Sequence, residues 1–589
     1  MSKRISWPRP NMDRVDVEVL EQLKEDADRY RKNPFIEMTF ETYRQFNKTG
    51  ERKGYEKGYF ERRKRLTTFG LLAYIFPENA DYLSLLENEL WQVCQEFTWC
   101  LPAHIDLRFE EQSYKEYQDN GKLRYTIDLF AAETAFTLAE LLYIFSNKLD
   151  HFLVERVKIE VDRRVLQNFI NTESFPWEQA THNWAAVCAG AIGSAAIYLL
   201  EDDTKLQKVL ERVNHTLNYF LKGYNADGAC TEGYLYWQYG FGYFVYFLDL
   251  LEQLTGKASD FWYQQKVREI ALFQQKIFLS KKYVVNFSDA PRIAKPMLGF
   301  THYLNTKISD VHIPSRRIGQ KAIIDHCGRW APAFRELVWF NPNFEGMDWP
   351  EGDYQLMDSS MTISRQKYNN RTYAFAAKGG HNDEPHNHND IGHFILFANG
   401  QYFLKDLGSG QYNKAYFGKG RYNFICNSSQ GHSVPVINGY IQLEGLNYQA
   451  KIRNAIVNED VNQFSLKMEK AYSDPTLTSF HRTFIWEKQK PRLILNDYLL
   501  FNEMPKSLEE VFIMEDMDYQ IFDHCVLLCT EEQSLRLSFN NNVERPSIKR
   551  KSFMNHYGEK EYFLQFCVAV KHLHLDNQIN FSFEWENNI

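Results

Sequence analysis

The sequence contains no long apolar run. The first ten residues, Met1–Pro10, lack the apolar core that a secretory signal requires. The most apolar later stretch, Cys188–Leu200, is shorter than a membrane span and is rich in alanine and glycine, as packed helices are. The sequence therefore predicts neither a transmembrane segment nor a secretory signal, and no membrane as a partner.

Close-set cysteine pairs are scarce. The nine cysteines are an odd number, and only Cys525 and Cys529 lie near each other in the chain. Scattered cysteines of this kind are typical of reduced thiols, which predicts a cytoplasmic location.

An excess of positive charge is also missing. Lys and Arg number 68 against 76 Asp and Glu, which gives a formal net charge of −8. Because nucleic-acid binding normally requires a basic surface, this balance argues against nucleic acid as a partner. It does not exclude an acidic oligosaccharide or polysaccharide, which a local basic patch could bind.

Aromatic residues, by contrast, are abundant: 35 Tyr, 44 Phe and 12 Trp make up 15% of the 589 residues. Most must fill hydrophobic cores, but aromatic faces also stack on sugar rings, so a carbohydrate cleft is one interpretation. The chain is too long for one hydrophobic core, so we expect at least two domains.

Apolar residues recur at helical spacing from about Val15 to Leu254, which predicts a series of helical hairpins. Spacing alone does not distinguish a toroid from a solenoid or a bundle. After Gln355 the pattern changes to short alternating runs with Asn-Gly turns at 399–400 and 438–439, which predicts an antiparallel β-sandwich. We place the boundary near residue 341, giving domains 1–340 and 341–589. The clearest predicted helices are Leu83–Phe97, Asp128–Phe145, His151–Phe169 and Trp184–Leu200.

The most distinctive stretch is residues 379–393, with four histidines and three acidic residues in fifteen positions. Its glycines and the following apolar run predict a turn that leads into a strand. On an extended backbone His386 and His388 would point to the same side of the sheet. With Asp406 and His432 they offer imidazole and carboxylate groups that suit zinc or a similar ion. The alternative is that both histidines are surface residues bonded to neighbouring asparagines.

Two further motifs lie in the helical half. His182 and Asn183 open a strongly apolar helix, where backbone donors and the helix dipole favour an anion. An N-cap role is the alternative for either residue. In the second motif, an Asp-Gly turn at 227–228 leads to Glu232 and a cluster of aromatics that includes Tyr236.

Together these motifs resemble the heparinase II/III family of polysaccharide lyases. The resemblance rests on Asn183-Trp184, on Glu232-Gly-x-x-Tyr-Trp, and on four short motifs between Lys378 and Ser433: Gly-Gly-His, His-Asn-His-Asn-Asp-Ile-Gly-His-Phe, Leu-Lys-Asp-Leu-Gly-Ser-Gly and Ser-Ser-Gln-Gly-His-Ser. It implies an N-terminal α/α toroid, a C-terminal antiparallel β-sandwich, and cleavage of uronate-containing polysaccharides by β-elimination.

The resemblance also implies roles for individual residues. Asn183 would neutralise the uronate carboxylate, and Tyr236 and His386 would act as base and acid. Tyr236 matches the family pattern, and a shift of register to Tyr234 is the main alternative. Other candidates are substrate contacts at His182, Glu232 and Arg421, a further catalytic tyrosine at Tyr412 with Tyr416 and Tyr422 competing for that match, and a structural zinc ion at His388, Asp406 and His432.

Several functional alternatives stay open. Heparin or heparan sulfate fragments are the leading substrates, and alginate, hyaluronan or chondroitin oligomers are alternatives. Glu232 and Asp227 could form the carboxylate pair of a hydrolase, although their position in a turn explains both. A non-catalytic carbohydrate-binding protein is disfavoured, because the matched Asn183, Tyr236 and His386 are all present. A homo-oligomer is also left open.

Overall fold

The computed structural model of the protein describes residues 5–8, 15–33, 36–105, 125–319, 321–384 and 386–587. The chain forms two compact units. Unit 1 consists of Met1–Tyr224, Tyr236–Ala271 and Lys295–Met347, and unit 2 of Asn225–Leu235, Leu272–Ala294 and Asp348–Ile589. Unit 2 thus takes in two segments that precede residue 341 in the chain. The predicted domain boundary near residue 341 stays a prediction, because each compact unit is built from several segments and has no single boundary in the sequence.

Helices dominate the first 340 residues. The predicted helices are confirmed, with their ends shifted by a few residues; the segment predicted as His151–Phe169 passes through a π-helical turn at Asp162–Leu166. Among the described residues, the α-helices are Val17–Lys32, Phe40–Thr49, Lys53–Ile75, Ala80–Gln95, Leu129–Phe145, His151–Val161, Gln167–Asn171, Asn183–Leu199, Asp203–Lys222, Tyr234–Thr255, Gln265–Ile277, Leu298–Lys307 and Trp330–Trp339.

Close packing in unit 1 involves the helix Asn183–Leu199, which is buried along nearly its whole length. A Cβ added at Gly190 would lie 2.6 Å from the carbonyl oxygen of Tyr243, so glycine lets the two backbones approach. Arg335 and Glu140, fully buried and 2.6 Å apart, join two further helices. In the part of the chain that the structure describes, no helix combines the length and apolar character needed to cross a membrane.

Antiparallel strands dominate unit 2. In chain order, β1 to β21 are Phe278–Ser280, Tyr283–Val284, Gly352–Leu356, Met361–Tyr368, Arg371–Lys378, His381–Asn382, Phe394–Ala398, Gln401–Leu404, Val436–Ile437, Gly445–Gln449, Lys451–Val457, Val461–Lys467, Leu477–Glu487, Arg492–Phe501, Leu508–Glu515, Asp518–Ile521, Cys525–Cys529, Gln533–Phe539, Ser547–Met554, Lys560–Ala569 and Asp576–Asn587. One sheet has the order β11-β12-β13-β14-β21-β18-β17-β16, and the other has the order β19-β20-β15-β8-β7-β5-β4-β3 with β9 paired to β15.

The two sheets share one aromatic core. The ring of Phe394 in β7 lies 5.4 Å from that of Phe484 in β13 and 5.6 Å from that of Phe583 in β21. Burial alternates along β13 and β14, as expected for strands with one face on a core. Both predicted Asn-Gly turns are confirmed, with left-handed φ values of 45° and 92° at 399–400 and of 52° and 80° at 438–439.

Three connections of unit 2 carry the polar residues described next. They are residues 285–294 after β2, residues 383–393 between β6 and β7, and residues 405–435 between β8 and β9.

Candidate active site

Residues 383–393 form a loop. The prediction of an extended strand through His386 and His388 is wrong, because β6 ends at Asn382 and β7 begins at Phe394. His386 has a left-handed backbone with a φ of 57°, which an extended strand does not allow. Pro385, just before it, lies outside the described residues. The two imidazoles are nevertheless brought together, because both contact one carboxylate.

That carboxylate belongs to Asp289, whose side chain is completely buried. Nδ1 of His386 lies 2.8 Å from Oδ2 of Asp289, and Nε2 of His388 lies 3.0 Å from Oδ1. An ionised carboxylate only accepts hydrogen bonds, so each imidazole donates from the nitrogen that faces it. Proton exchange at His386 is therefore left to Nε2.

Three more side chains surround Asp289. Nη2 of Arg421 lies 3.1 Å and the hydroxyl of Tyr412 3.3 Å from Oδ2, and the hydroxyl of Tyr416 contacts Oδ1. Burial alone would raise the pKa of Asp289, but the hydrogen bonds from the two histidines and the charge of Arg421 hold it well below its ordinary range. Burial, with the charge of Asp289, raises the pKa of Tyr416, so this tyrosine stays a neutral donor.

A second acid faces the outer nitrogen of His386. Nε2 of His386 is 3.5 Å from Oε2 of Glu232, and 21% of the His386 side chain is exposed. Burial raises the pKa of Glu232, while the charge of His386 opposes that rise. The hydroxyl of Thr231 donates to Oε2 of Glu384 at 3.0 Å, which fixes the Glu232 segment against the loop. The His386 side chain is therefore partly exposed and has Glu232 beside its Nε2, whereas the His388 side chain is fully buried.

A second group of side chains, which we call the buried ligand group, consists of His388, Asp390, Asp406 and His432. One nitrogen or oxygen atom from each lies within 4.8 Å of the others, and all four residues are buried. The three residues predicted as metal ligands are thus brought together. Asp390, two residues after His388, is an addition that the sequence analysis missed.

Hydrogen bonds turn the lone pairs of the buried ligand group inward. Nδ1 of His432 donates to the carbonyl oxygen of Ser428 at 2.9 Å, so its Nε2 is unprotonated and faces Nδ1 of His388 at 3.3 Å. The neutral form of His388, which donates from Nε2 to Asp289, has a lone pair at this Nδ1. Among the described residues, neither Oδ2 of Asp390 nor Oδ2 of Asp406 has a hydrogen-bond partner. Four buried nitrogen and oxygen atoms thus converge, with Nε2 of His393 as a neighbouring donor 3.4 Å from Oδ2 of Asp406. A cation would stabilise this arrangement.

The electrostatics of the buried ligand group agree with that conclusion. Burial, reinforced by the charge of Asp390, raises the pKa of Asp406 well above its ordinary value, and burial lowers the pKa of His432 to about 4. Lys378 adds one positive charge at 2.8 Å from Oδ1 of Asp390, which is not the oxygen that lacks a hydrogen-bond partner. Neutral imidazole and carboxylate are donors that zinc prefers, so the side chains fit the predicted ion.

The predicted anion-binding motif lies in unit 1. Asn183 is the first residue of the helix Asn183–Leu199 and is 7% exposed. His182 is the N-cap, and its Nδ1 accepts a hydrogen bond from the backbone N–H of Trp184 at 3.4 Å. The predicted place of both residues at the helix N-terminus is confirmed, and their contacts with a substrate stay predictions.

The two candidate tyrosines of the second motif differ in burial. Tyr234 is fully buried, its hydroxyl donates to Oε1 of Gln274 at 2.7 Å, and its ring packs edge-on against Phe278. Tyr236 is only partly buried. Tyr234 is therefore held inside the fold, which favours Tyr236 over it, and the catalytic role of Tyr236 stays a prediction.

Residues 341–506 match the family model described as heparinase II/III-like, C-terminal. Over this segment the chain is similar to the C-terminal domain of heparinase II/III-like proteins. The resemblance seen in the sequence is thereby confirmed. No curated protein matches the chain at the sequence level.

Solved structures with a similar fold include three lyases. Heparinase III has a TM-score of 0.68 and 14% identity, over 99% of this chain and 87% of its own. Heparan sulfate lyase HepC from Pedobacter heparinus has a TM-score of 0.61 and 14% identity, over 96% and 83%. Chondroitin AC lyase from Streptomyces coelicolor A3, in complex with chondroitin sulphate, has a TM-score of 0.51 and 9% identity, over 96% and 79%. At these identities the likeness shows the fold, and it confirms the predicted α/α toroid followed by an antiparallel β-sandwich.

The heparinase II/III-like domain supplies most of the residues around Asp289, but not Asp289 itself. That residue lies in the 285–294 connection, outside the matched segment 341–506. No motif marks it in the sequence; the only local signal is the polar pair Ser288-Asp289 inside an apolar stretch. Its role becomes visible only when residues about a hundred positions apart are brought together by the fold, as in its contacts with His386 and His388.

Proposed function

We propose that this protein is a polysaccharide lyase that cleaves uronate-containing glycans by β-elimination. The observation that carries the proposal is the partly exposed His386, held by the buried anion Asp289 and located in a heparinase II/III-like domain. An imidazole oriented in this way can give or take a proton at Nε2, which elimination requires.

In this reaction the C5–H and C4–O bonds of the uronate break, a C4–C5 double bond forms, and the leaving oxygen takes up a proton. The C5 proton is weakly acidic, so hydrogen-bond donors must first neutralise the carboxylate. We assign that task to Asn183, with His182 as a second contact. Tyr236 and His386 then share the roles of base and acid.

The remaining candidates have supporting roles. Glu232 and Arg421 border His386 and Asp289, where they could contact the sugar. Tyr412, whose ring lies 6.4 Å from that of His386, is a further catalytic candidate. A hydrolase based on Asp227 is disfavoured, because its carboxylate accepts hydrogen bonds from the backbone N–H groups of Ala229 and Ser359 at 3.1 and 2.8 Å.

We further propose a zinc ion at His388, Asp406 and His432, with Asp390 as a fourth ligand. When bound, this ion would supply positive charge that holds the 383–393 and 405–435 connections together. Proton transfer is assigned to other residues, because the buried ligand group has no exposed side chain.

Heparin or heparan sulfate oligosaccharides are the leading substrates in this proposal, and chondroitin, hyaluronan or alginate oligomers come next. Similar folds in a heparan sulfate lyase and a chondroitin AC lyase support this order. A cytoplasmic location is also proposed, and nine cysteines that form no disulfide support it.

The experiment is an absorbance assay for the conjugated, unsaturated uronate, with purified protein and a panel of these oligosaccharides. We expect absorbance to rise with at least one glycan and to disappear in Tyr236→Phe. Tyr234→Phe is the matched control and should retain the activity, because its hydroxyl is bonded inside the fold. New reducing ends without absorbance would contradict the proposal and indicate a hydrolase.

A further inference from the structure

Asp289 has two oxygen atoms that contact two different functional groups. Oδ2 accepts a hydrogen bond from Nδ1 of His386, the residue proposed to transfer a proton. Oδ1 accepts one from Nε2 of His388, a member of the buried ligand group. The Asp289 carboxylate therefore contacts both His386 and a member of the buried ligand group.

We infer that Asp289 is a positioning residue that fixes the tautomers of His386 and His388 and so couples the buried ligand group to proton transfer. Its contact with His386 puts the proton on Nδ1 and directs Nε2 outward. Its contact with His388 puts the proton on Nε2 and directs the lone pair of Nδ1 toward His432. The coupling to catalysis rests on the proposed function. The two tautomers rest only on the hydrogen bonds to Asp289.

Other side chains hold Asp289 in place independently of the histidines. The guanidinium of Arg421 and the hydroxyls of Tyr412 and Tyr416 all contact its carboxylate. Arg421 is itself fixed, since its Nε donates to the carbonyl oxygen of Asn387 at 3.1 Å and its guanidinium lies 4.7 Å from the centre of the Tyr416 ring. The carboxylate is thus a rigid reference point against which both imidazoles are oriented.

Backbone strain flanks the contact between Asp289 and His386. Ser288, directly before Asp289, has a φ of 63°, and His386 has a φ of 57°. Non-glycine residues rarely adopt this region, and they persist there when surrounding contacts enforce it. The 2.8 Å hydrogen bond between Asp289 and His386 thus lies between two backbone positions with left-handed φ values.

The competing explanation is that Asp289 only neutralises the buried charge of Arg421. Under that explanation, losing the carboxylate would lower stability but leave the imidazoles as they are. If Asp289 positions the two imidazoles, its replacement by asparagine must disturb them, because a carboxamide cannot accept a hydrogen bond at its nitrogen. In Asp289→Asn at least one histidine must change its tautomer or lose its partner.

The first test uses the full-length wild-type protein labelled with [15N]histidine. Nitrogen–proton correlation spectra distinguish the two neutral tautomers, and they would be recorded at about pH 8, where an ordinary histidine is neutral. Spectra of His386→Gln and His388→Gln assign the two signals. We expect Nδ1–H at His386 and Nε2–H at His388, and the reverse tautomer at either residue would overturn the inference. This test does not depend on whether any variant of Asp289 folds.

The second test compares Asp289→Asn with a matched control, Asp474→Asn. Asp474 is also buried and bonded through both oxygens, but its partners are Asn438 and Thr476 and not a histidine. For Asp289→Asn we expect a changed tautomer signal, a loss of about 10–100-fold in zinc affinity and in kcat, and a smaller change in KM. For Asp474→Asn we expect none of these changes.

The outcomes separate this inference from the proposed function. Unchanged tautomers and zinc affinity in a folded Asp289→Asn protein would overturn the inference, whatever its melting temperature. A wild-type protein that forms no unsaturated uronate would refute the proposed function, and the tautomers would still decide the role of Asp289.

Discussion

The cluster around Asp289 and the buried ligand group share the loop 383–393 but have opposite electrostatic character. Around Asp289, five donors meet one carboxylate, so its charge is stabilised by the protein alone. In the buried ligand group, two imidazole nitrogens and two carboxylates face one another. Lys378 donates to Asp390, and Nε2 of His393 lies 3.4 Å from Oδ2 of Asp406. The first arrangement is complete as it stands, whereas a cation would stabilise the second.

The two clusters also differ in the exposure of the histidine that each contains. His386 is 21% exposed, and the His388 side chain is fully buried, although both contact the same carboxylate. Two histidines separated by one residue thus differ in burial, and we assign proton transfer to the exposed one and ion binding to the buried one. The comparison teaches that burial and tautomer, rather than sequence spacing, decide what each imidazole can do.

The largest expected effect separates these two tasks. His386→Gln should lower the rate of elimination by about 10²–10⁴-fold, the usual contribution of a general acid or base. Zinc content should stay that of the wild type, because His386 is outside the buried ligand group. The measurement pairs the absorbance assay with metal analysis of the same protein preparation.

His388→Gln is the matched counterpart of that variant. It should lose zinc, because it removes a nitrogen of the buried ligand group. If both variants changed activity and zinc content to the same extent, the division of tasks between the two histidines would be wrong.

Zinc should stabilise the protein strongly. Saturating a site at about 100–1,000 times its Kd raises the free energy of unfolding by about 3–4 kcal/mol. Asp406→Asn should abolish most of this gain, while costing little stability in zinc-free protein, since it replaces a buried carboxyl group whose pKa is already raised. Thermal melts of wild type and variant, with and without zinc, test the expectation. A wild-type melting temperature that does not respond to zinc would contradict it.

Acid should destabilise the zinc-free protein through His432. The pKa of this residue is lowered to about 4 in the folded protein by burial, against 6.5 ordinarily, so the unfolded chain takes up a proton first as the pH falls. Its contribution is fully present above pH 6.5 and is lost between 6.5 and about 4, with an upper limit of about 3 kcal/mol.

Urea unfolding of zinc-free wild type and His432→Gln at several pH values measures this contribution. The variant should show a flatter pH dependence within that window. Equal slopes for the two proteins would show that His432 takes up its proton over the same pH range in the folded protein and in the unfolded chain.

The smallest expected effect concerns Arg421. Arg421→Lys keeps the positive charge near Asp289 but loses the hydrogen bond from Nε to Asn387. Loss of one such bond should cost about 1 kcal/mol, which is several-fold in kcat/KM. Steady-state kinetics would measure it, and a loss as large as that of His386→Gln would mean that Arg421 itself contacts the reacting sugar.

Periodicity explains which parts of the fold could be predicted. The helices and the alternating strands of the sandwich follow from local patterns of apolar residues, as in β13 and β14. Asn-Gly pairs fix their turns through a backbone preference of the residues themselves. Each of these features is encoded within a few neighbouring positions.

The site was only partly predictable for a physical reason. Residue types and a family resemblance identified His386, His388, Asp406 and His432, but spacing suggested a strand where His386 has a left-handed backbone. Asp289 could not be identified, because its role depends on contacts with residues 97 and 99 positions away. The exposure of His386 and the burial of His388 likewise follow from packing, and sequence spacing does not predict them.

The most direct test of the account is the ratio of two products of the wild-type protein acting on a uronate oligosaccharide. Unsaturated uronate and new reducing ends would be measured in the same sample as the reaction proceeds. Elimination predicts one unsaturated uronate for each new reducing end at every time point. Reducing ends that accumulate without unsaturated uronate would contradict the central claim.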